Sequence, residues 1–268
     1  MFPDSVGHMV VDGVIDATEY YHDPAEAEYI SLADETFARA NRRYNSSLNS
    51  MIGFTSSSIY HLGTVPVFNS GWPRTSLVLK GSYEGNVTQA TALLQAGGSI
   101  AAGLSIAPEA NLGIRAADRT ARVHNLEEYQ PYLDKILESS KIIGDISAYA
   151  QMAVLQWNSS AIEVYNGDFR VKTKTGVLVA SNTSDPLAPL AAGKRLSGLV
   201  EGSSLLINNG CGHTVLSQAS ICTIKHIRAY FVSDVLPTTN TVCEPDIPLF
   251  STNITLADIL TKSEAEPQ

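Results

Sequence analysis

Positive charge and long apolar runs are both scarce in this sequence. Its 268 residues hold 18 Lys and Arg against 27 Asp and Glu, which gives a formal net charge of −9 at pH 7. A nucleic-acid-binding surface needs a basic stripe, so a nucleic-acid partner is not expected. No apolar run reaches the roughly 18 residues of a membrane-spanning helix, so a membrane partner is not expected either.

A nucleophile motif is also lacking. Enzymes that place a catalytic serine on a tight strand-to-helix turn use G-x-S-x-G, because a Cβ atom at either glycine position would clash. The nearest strings, Gly97–Ala101 and Gly103–Ala107, end in alanine and follow a helix-like run, NVTQATALLQA. We interpret both strings as small residues that pack against a helix or its end.

Signals of cellular location are few and point in two directions. The first residues, MFPDSVGHMVVDG, lack the basic region and apolar stretch of a signal peptide, so we expect a cytoplasmic chain if Met1 is the true start. The three cysteines fit either an oxidising or a reducing compartment. In contrast, the number of N-x-[ST] sequons favours secretion, since there are five and chance would give about three. The sequons at Asn45, Asn86, Asn158 and Asn253 are glycosylation candidates.

The most informative stretch runs from Gly176 to Thr214. Two apolar runs, in GVLVASNTSDP and SLLINNGCGHT, each lead to a residue that can do chemistry, and a helical pattern lies between them. The pattern predicts strand, Asp185 loop, helix, strand, His213 loop. Because ligand-binding side chains of an open parallel sheet cluster at the carboxyl ends of its strands, we expect Asp185 and His213 within hydrogen-bond distance. An acid followed by a histidine in these places is the order of the last two members of a Ser, Asp, His triad. The fifth sequon, at Asn182, is discounted because a glycan so close to Asp185 would obstruct this site.

The remaining patterns predict an α/β fold with a helical insertion. Val6–Val14 has the length and apolarity of a buried strand. Residues 26–43 have helical spacing, and Leu126–Trp157 predicts a long helical region with a break at Gly144. Residues 44–75, rich in Ser, Asn, Gly and Pro, predict a loop or an insertion. Strand patterns return only after this helical block.

Four blocks of sequence together carry a family resemblance. The opening MFPDSVGHMVVDGVIDATEYY is similar to the segment after the nucleophile helix of tripeptidyl aminopeptidase-like (TAP-like) α/β-hydrolases, which are secreted serine peptidases related to proline iminopeptidase. Three further blocks match in order: LEEYQPYLDKILESSKIIGDISAYA, VKTKTGVLVASNTSDPLAPLAAGKRLS and GHTVLSQASICTIKHIRAYFVSDVLPTTNTVCEPDIPLF. The resemblance fades between residues 40 and 110.

This resemblance implies the C-terminal part of an α/β-hydrolase sheet, with the last three parallel strands and an inserted helical cap. Residues 1–22 would form a core strand and its connection, 23–166 the cap, 167–250 the C-terminal core, and 251–268 a tail. Asp185 would be the triad acid, His213 the general base, and Asp12 would help line the substrate-site rim. No cofactor is implied.

The departures from the family pattern also matter. Cysteines that relatives carry near Ala116 or Ala117 and near Val154 are missing. The family's signal peptide, oxyanion loop and nucleophile serine belong to the part that precedes this sequence.

The resemblance implies a serine peptidase, extracellular as a full-length protein, that cleaves short N-terminal pieces from a peptide substrate. Here the chain supplies only Asp and His, and an N-terminal fragment carrying the nucleophile would be its partner. Alone, the chain is expected to be inactive. The alternative is a non-catalytic remnant that binds peptides or a partner.

The cysteines admit two arrangements. Cys222 and Cys243 both lie in the last matching block and flank a helix-like segment and an extended tail, which suits a disulfide and leaves Cys211 as a thiol. Alternatively, Cys211, His213, Cys222 and His226 give C-x-H-x8-C-x3-H, although structural zinc sites more often use paired C-x2-4-C and H-x3-5-H elements. Since the resemblance assigns His213 and pairs Cys222, no metal is expected.

Overall fold

The computed structural model of the chain describes residues 2–41, 81, 84–86, 88, 108–248 and 256–265. Its α-helices in these ranges are α1 Ala17–His22, α2 Ala33–Asn41, α3 Pro108–Asp118, α4 Leu126–Ser139, α5 Gly144–Leu155, α6 Leu190–Leu199, α7 Ile221–Ser233 and α8 Leu256–Ala265. Its strands are β1 Val10–Asp12, β2 Val171–Lys172, β3 Leu178–Ser184, β4 Val200–Glu201, β5 Ser204–Cys211 and β6 Thr241–Cys243. Short 3-10 helices cover Pro3–Ser5 and Glu28–Ile30.

The chain divides into two compact units. The first contains the described residues of Met1–Asp16 and Phe169–Gln268, and the second contains those of Ala17–Pro66 and Arg74–Asp168. Predictions that concern residues 44–75, the two glycine–serine strings, Asn45 and Asn253 fall outside the described ranges. Among the helices described, none is both long and apolar enough to cross a membrane.

A parallel sheet forms the centre of the first unit. Its order is β1-β3-β5-β6, and each of the three neighbouring pairs is parallel. The three predicted strands are present, and β6 adds a fourth that the sequence patterns did not predict. The first strand is shorter than Val6–Val14. The Met9 carbonyl oxygen still accepts from the Leu178 N–H of β3 at 3.0 Å, but the Met9 N–H donates to the hydroxyl of Tyr230 at 2.9 Å and not to a strand.

Helices cover both faces of this sheet. Side chains alternate along a strand, so Val179 and Leu205 pack on one face with Leu190 and Leu196 of α6. On the opposite face, Leu178 and Leu206 pack with Tyr230 and Ile227 of α7. Burial on both faces explains why β3 and β5 contain continuous apolar runs, at residues 178–180 and 205–207.

Polar residues appear where these strands end. Asp12 is the last residue of β1, Asp185 follows β3 directly, and His213 lies two positions beyond β5. Because the strands are parallel, these three carboxyl ends meet at one edge of the sheet. The fold therefore brings together residues from both ends of the sequence.

The helices α1–α5 belong to the second unit. Asn125 caps α4 by accepting a hydrogen bond from the Glu128 N–H at 2.9 Å, and Glu128 in turn accepts from the His124 N–H at 2.8 Å. The predicted helical region is interrupted between α4 and α5, and Gly144 begins α5. A Cβ atom on Gly144 would lie 3.0 Å from the carbonyl oxygen of Ile136, so glycine permits the start of α5 to pack closely on α4.

A buried ionic cluster lies in the core of the second unit. The Glu26 carboxylate accepts hydrogen bonds from Arg115 and Arg119 and, at 2.6 Å, from the Gln151 side-chain amide. Arg119 is almost fully buried and stacks over the Tyr20 ring, with 5.2 Å from the guanidinium carbon to the ring centroid. Its charge is thus paired inside the unit, as a buried cation requires.

Candidate active site

The carboxylate of Asp185 is fully buried and held by backbone amides. Its Oδ1 accepts hydrogen bonds from the N–H groups of Leu187 and Ala188, each at 2.9 Å, and its Oδ2 accepts from the Thr214 N–H at 3.0 Å. The first two bonds close a turn directly after β3, which is typical of an aspartate that precedes a proline. Backbone donors of this kind stabilise the charged form of a buried carboxyl group.

His213 faces this carboxylate. Its Nδ1 atom lies 3.1 Å from both Asp185 Oδ1 and Oδ2, so the predicted pair is within hydrogen-bond distance. The side chain of His213 is 27% exposed, whereas that of Asp185 is 1% exposed. The base therefore stands at the accessible side of the pair and the acid lies beneath it.

The electrostatic surroundings favour the protonated imidazole. The pKa of His213 is raised, first by its hydrogen bond to Asp185 and further by the negative charges of Asp185 and Asp12, against burial, which lowers it. Such a histidine binds a proton more readily than a free imidazole, while its carboxylate partner fixes the ring orientation.

Asp12 approaches the same loop from β1. Both of its carboxylate oxygens accept from the backbone N–H of Val215, at 3.1 and 3.0 Å. Burial raises the pKa of Asp12 from 3.8 to about 6, against the hydrogen bond from Val215, which lowers it. In the structure, the Asp12 carboxylate bonds the backbone of the loop that carries His213. Its place at the rim of a substrate site stays a prediction.

Sequence reasoning missed the structural role of Asn182. We considered this residue only as a sequon, but it is fully buried on β3 and its side chain contacts the loop that carries His213. A signal was present, since an asparagine within a buried strand must find hydrogen-bond partners inside the protein.

The cysteines adopt the first of the two arrangements. Cys222 and Cys243 form a disulfide with a Cα–Cα distance of 5.5 Å, and Cys211 is a buried thiol. The zinc set of Cys211, His213, Cys222 and His226 is therefore not assembled, because the Cys222 sulfur is bonded to Cys243. His226 lies beside this disulfide.

Comparison with known families agrees with this geometry. Residues 140–243 match the family model described as TAP-like protein. This part of the chain is therefore similar to TAP-like proteins. The matched region contains Asp185, His213, Cys222 and Cys243, whereas Asp12 lies outside it. The resemblance and the α/β fold class predicted from the sequence are thus confirmed. No curated protein matches the chain.

Proposed function

We propose that the chain supplies the acid and the general base of a serine-type peptidase that removes short pieces from the N-termini of peptides. The observation that carries this proposal is the His213 Nδ1 atom at 3.1 Å from both oxygens of the buried Asp185 carboxylate. The TAP-like match supports a hydrolase, and the resemblance of the wider sequence supports a peptide substrate.

The chemistry follows from this pair. With Nδ1–H donated to Asp185, the Nε2 atom of His213 carries the lone pair that can accept a proton from a serine hydroxyl. The serine oxygen then bonds to the carbonyl carbon of the peptide, and Asp185 stabilises the imidazolium that forms. His213 returns the proton to the leaving amine, and a water molecule deprotonated in the same way hydrolyses the acyl-enzyme.

We propose that a separate N-terminal hydrolase segment brings the nucleophile serine and the oxyanion donors. In the part of the sheet that the structure describes, β1 is a terminal strand, paired with β3 alone. A strand of another segment added beside β1 would extend the parallel sheet and satisfy its outer backbone groups. The resemblance supports this arrangement, since the nucleophile helix of the family directly precedes the segment that β1 resembles.

We also propose an extracellular location. A disulfide such as Cys222–Cys243 persists in oxidising compartments and is rare in the cytosol. Two of the four candidate glycosylation sites, Asn86 and Asn158, are exposed. Both observations support passage through a secretory pathway.

A labelling experiment tests the catalytic proposal. The full chain is produced alone and together with the N-terminal half of a TAP-like hydrolase that ends after the nucleophile helix. Each sample is treated with a fluorophosphonate probe, which reacts with activated serines, and is assayed with a fluorogenic tripeptide amide. We expect labelling of the partner serine and cleavage of the amide only when both chains are present.

Matched variants identify the residues responsible. His213→Asn should reduce kcat/KM of the assembled hydrolase by roughly 10⁴-fold or more, whereas His124→Asn, the same change at an exposed histidine, should leave it unchanged. Labelling of a serine within this chain alone would overturn the shared-site proposal. Absence of labelling from every sample would overturn the assignment as a hydrolase.

The rate should also depend on pH in a defined direction. Only neutral His213 can act as a base, so kcat/KM should rise as the pH increases through the raised pKa of His213. Asp185→Asn removes the main cause of that shift and should move the inflection to lower pH while reducing kcat by about 10⁴-fold. An inflection that stays in place in Asp185→Asn would argue against His213 as the titrating base.

A further inference from the structure

The side chain of Asn182 lies beneath the histidine loop and bonds it on both sides of His213. Its Nδ2 atom is 2.9 Å from the carbonyl oxygen of Gly212 and 2.5 Å from that of Thr214. Gly212 and Thr214 are the two residues that flank the histidine. A third contact, at 3.2 Å, reaches the hydroxyl of Ser217.

The orientation of this amide is fixed from its other side. Asn208 on β5 donates from Nδ2 to the Asn182 Oδ1 atom at 2.8 Å, and also to the carbonyl oxygen of Gln218 at 2.9 Å. Reversing the Asn182 amide would place its oxygen against two carbonyl oxygens. Because Asn182 and Asn208 are both fully buried, water cannot make up for bonds lost in this way.

The backbone of the loop needs such support. Gly212 and Thr214 have positive φ values of 98° and 66°, so the chain turns sharply on both sides of His213. A left-handed conformation is unfavourable for a β-branched residue such as Thr214, and it persists only where surrounding contacts hold it. The donated bonds of Asn182 hold both of these residues to β3.

The same strand leads directly to the acid. Asn182 precedes Asp185 by three positions, and β3 is hydrogen-bonded to strands on both sides and buried on both faces. The register of β3 against β5 shifts between Asn182 and Ser184, just before the acid. The same strand thus leads to the Asp185 carboxylate and carries the side chain that bonds the backbone on both sides of His213.

We infer that Asn182 is a positioning residue for the acid–base pair, which acts by donating hydrogen bonds to the two carbonyl groups that flank His213. The effect of Asn182 on catalysis rests on the proposed function, whereas its effect on the position of His213 does not. Its effect on the imidazole can be measured without a nucleophile.

Substitution by aspartate provides a sharp test. Asn182→Asp keeps the size and shape of the side chain but replaces the donor by an acceptor that faces two carbonyl oxygens. In the full chain labelled with 15N-histidine, we expect the downfield Nδ1 proton signal of His213 to be lost. The signal is assigned by its absence from His213→Gln. Asn209→Asp is the matched control on β5, because the Asn209 amide donates to Glu244 at 3.0 Å and does not contact the loop.

A second pair of variants covers the case in which Asn182→Asp does not fold. Asn182→Ser retains one hydroxyl donor and Asn182→Ala retains none. We expect the serine variant to keep more of the His213 pKa shift and more of the Nδ1 proton signal than the alanine variant. Thermal unfolding of each variant verifies that the comparison is made on folded chains.

The outcomes separate this inference from the proposed function. If Asn182→Asp and Asn209→Asp leave the His213 signals equally unchanged, or if the serine and alanine variants behave alike, the positioning role is wrong. In the assembled hydrolase we expect kcat of Asn182→Asp to fall on the order of 10²-fold with KM unchanged. If the wild-type assembly has no activity, the proposed function fails while the spectroscopic result still decides the role of Asn182.

Discussion

The imidazole ring of His213 packs directly on the backbone of Gly13. A Cβ atom added to Gly13 would lie 2.8 Å from His213 Cε1 and 2.9 Å from the Thr214 methyl carbon, and Gly13 has a φ of 63°. Glycine is thus required here both by the turn that ends β1 and by the close approach of the ring. The residue before it, Asp12, bonds the Val215 amide, so the end of β1 fixes the histidine loop through two adjacent residues.

Gly13→Ala should therefore displace the histidine. The added methyl group cannot fit at 2.8 Å from the ring, so either the ring or the β1 turn must move. We expect a change in the His213 Nδ1 proton signal, a fall in kcat of the assembled hydrolase on the order of 10²-fold, and a loss of about 1–2 kcal/mol in the free energy of unfolding from the left-handed backbone.

Gly202→Ala separates these two effects. Gly202 has a φ of 79° but no heavy atom within 4 Å of an added Cβ, so it reproduces the backbone strain without the clash. Gly202→Ala should lose the stability that the left-handed backbone costs, Gly13→Ala should lose at least as much, and only Gly13→Ala should alter the histidine signal. An unchanged signal in folded Gly13→Ala would contradict the packing described above.

Ionisation of Asp12 should cost the folded chain stability. Its pKa rises from 3.8 to about 6 mainly through burial, so the folded state keeps a proton that the unfolded state releases between about pH 4 and pH 6. Stability is therefore lost as the pH rises through this window, and the loss persists above it. Asp12→Asn cannot ionise, but its Oδ1 can still accept from the Val215 N–H.

We expect the free energy of unfolding of Asp12→Asn to exceed that of the wild type by on the order of 2 kcal/mol at pH 7, with the difference disappearing toward pH 4. Urea unfolding at pH 4.5, 5.5 and 7 measures it. Asp4→Asn, at an exposed position, serves as the control and should show no such trend. A difference for Asp12→Asn that does not vary with pH would mean that ionisation of Asp12 is not its cause.

The disulfide should stabilise the first unit. Cys222 and Cys243 are 21 positions apart, and closing a loop of this size contributes about 3 kcal/mol to the free energy of unfolding. A phosphine reductant should lower the free energy of unfolding of the wild type by this amount, which is seen as a lower urea midpoint. The double variant Cys222→Ala, Cys243→Ala should start at the lower midpoint and not respond to the reductant; a response of equal size would assign the effect to another group.

The sequons should differ in occupancy when the chain is produced in a secretory host. Asn86 and Asn158 are exposed and can accept a glycan. The Asn182 amide is fully buried and donates to two carbonyl groups, so it should remain unmodified. Enzymatic deglycosylation in H₂¹⁸O followed by peptide mass spectrometry marks each occupied site. A glycan on Asn182 in folded protein would contradict its position beneath the histidine loop.

The acid and the base could be predicted from the sequence because each follows an apolar run of strand length. The carboxyl ends of parallel strands share one edge, so local pattern and sheet topology together were sufficient for Asp185 and His213. The break between α4 and α5 was predictable for a similar reason, since Gly144 stands out within a helical pattern.

The supporting contacts were not predictable in the same way. Gly13 and Asn182 meet the histidine loop only after the loop folds back over β1 and β3, and no local pattern records that contact. The strand β6 has three residues, too few for a period to be recognised. The pattern also overestimated β1, because hydrophobicity does not show that Met9 bonds the hydroxyl of Tyr230.

The bond between Asp12 and Val215 also bears on the order of folding. It joins residues 203 positions apart, whereas Asp185 and His213 are 28 positions apart. Closing the longer loop costs about 2 kcal/mol more in chain entropy, so the segment from β3 to β5 can assemble the acid–base pair before the N-terminal residues dock. We therefore expect the docking of β1, which fixes Val215 and places Gly13 under the ring, to be a late event in the maturation of this site.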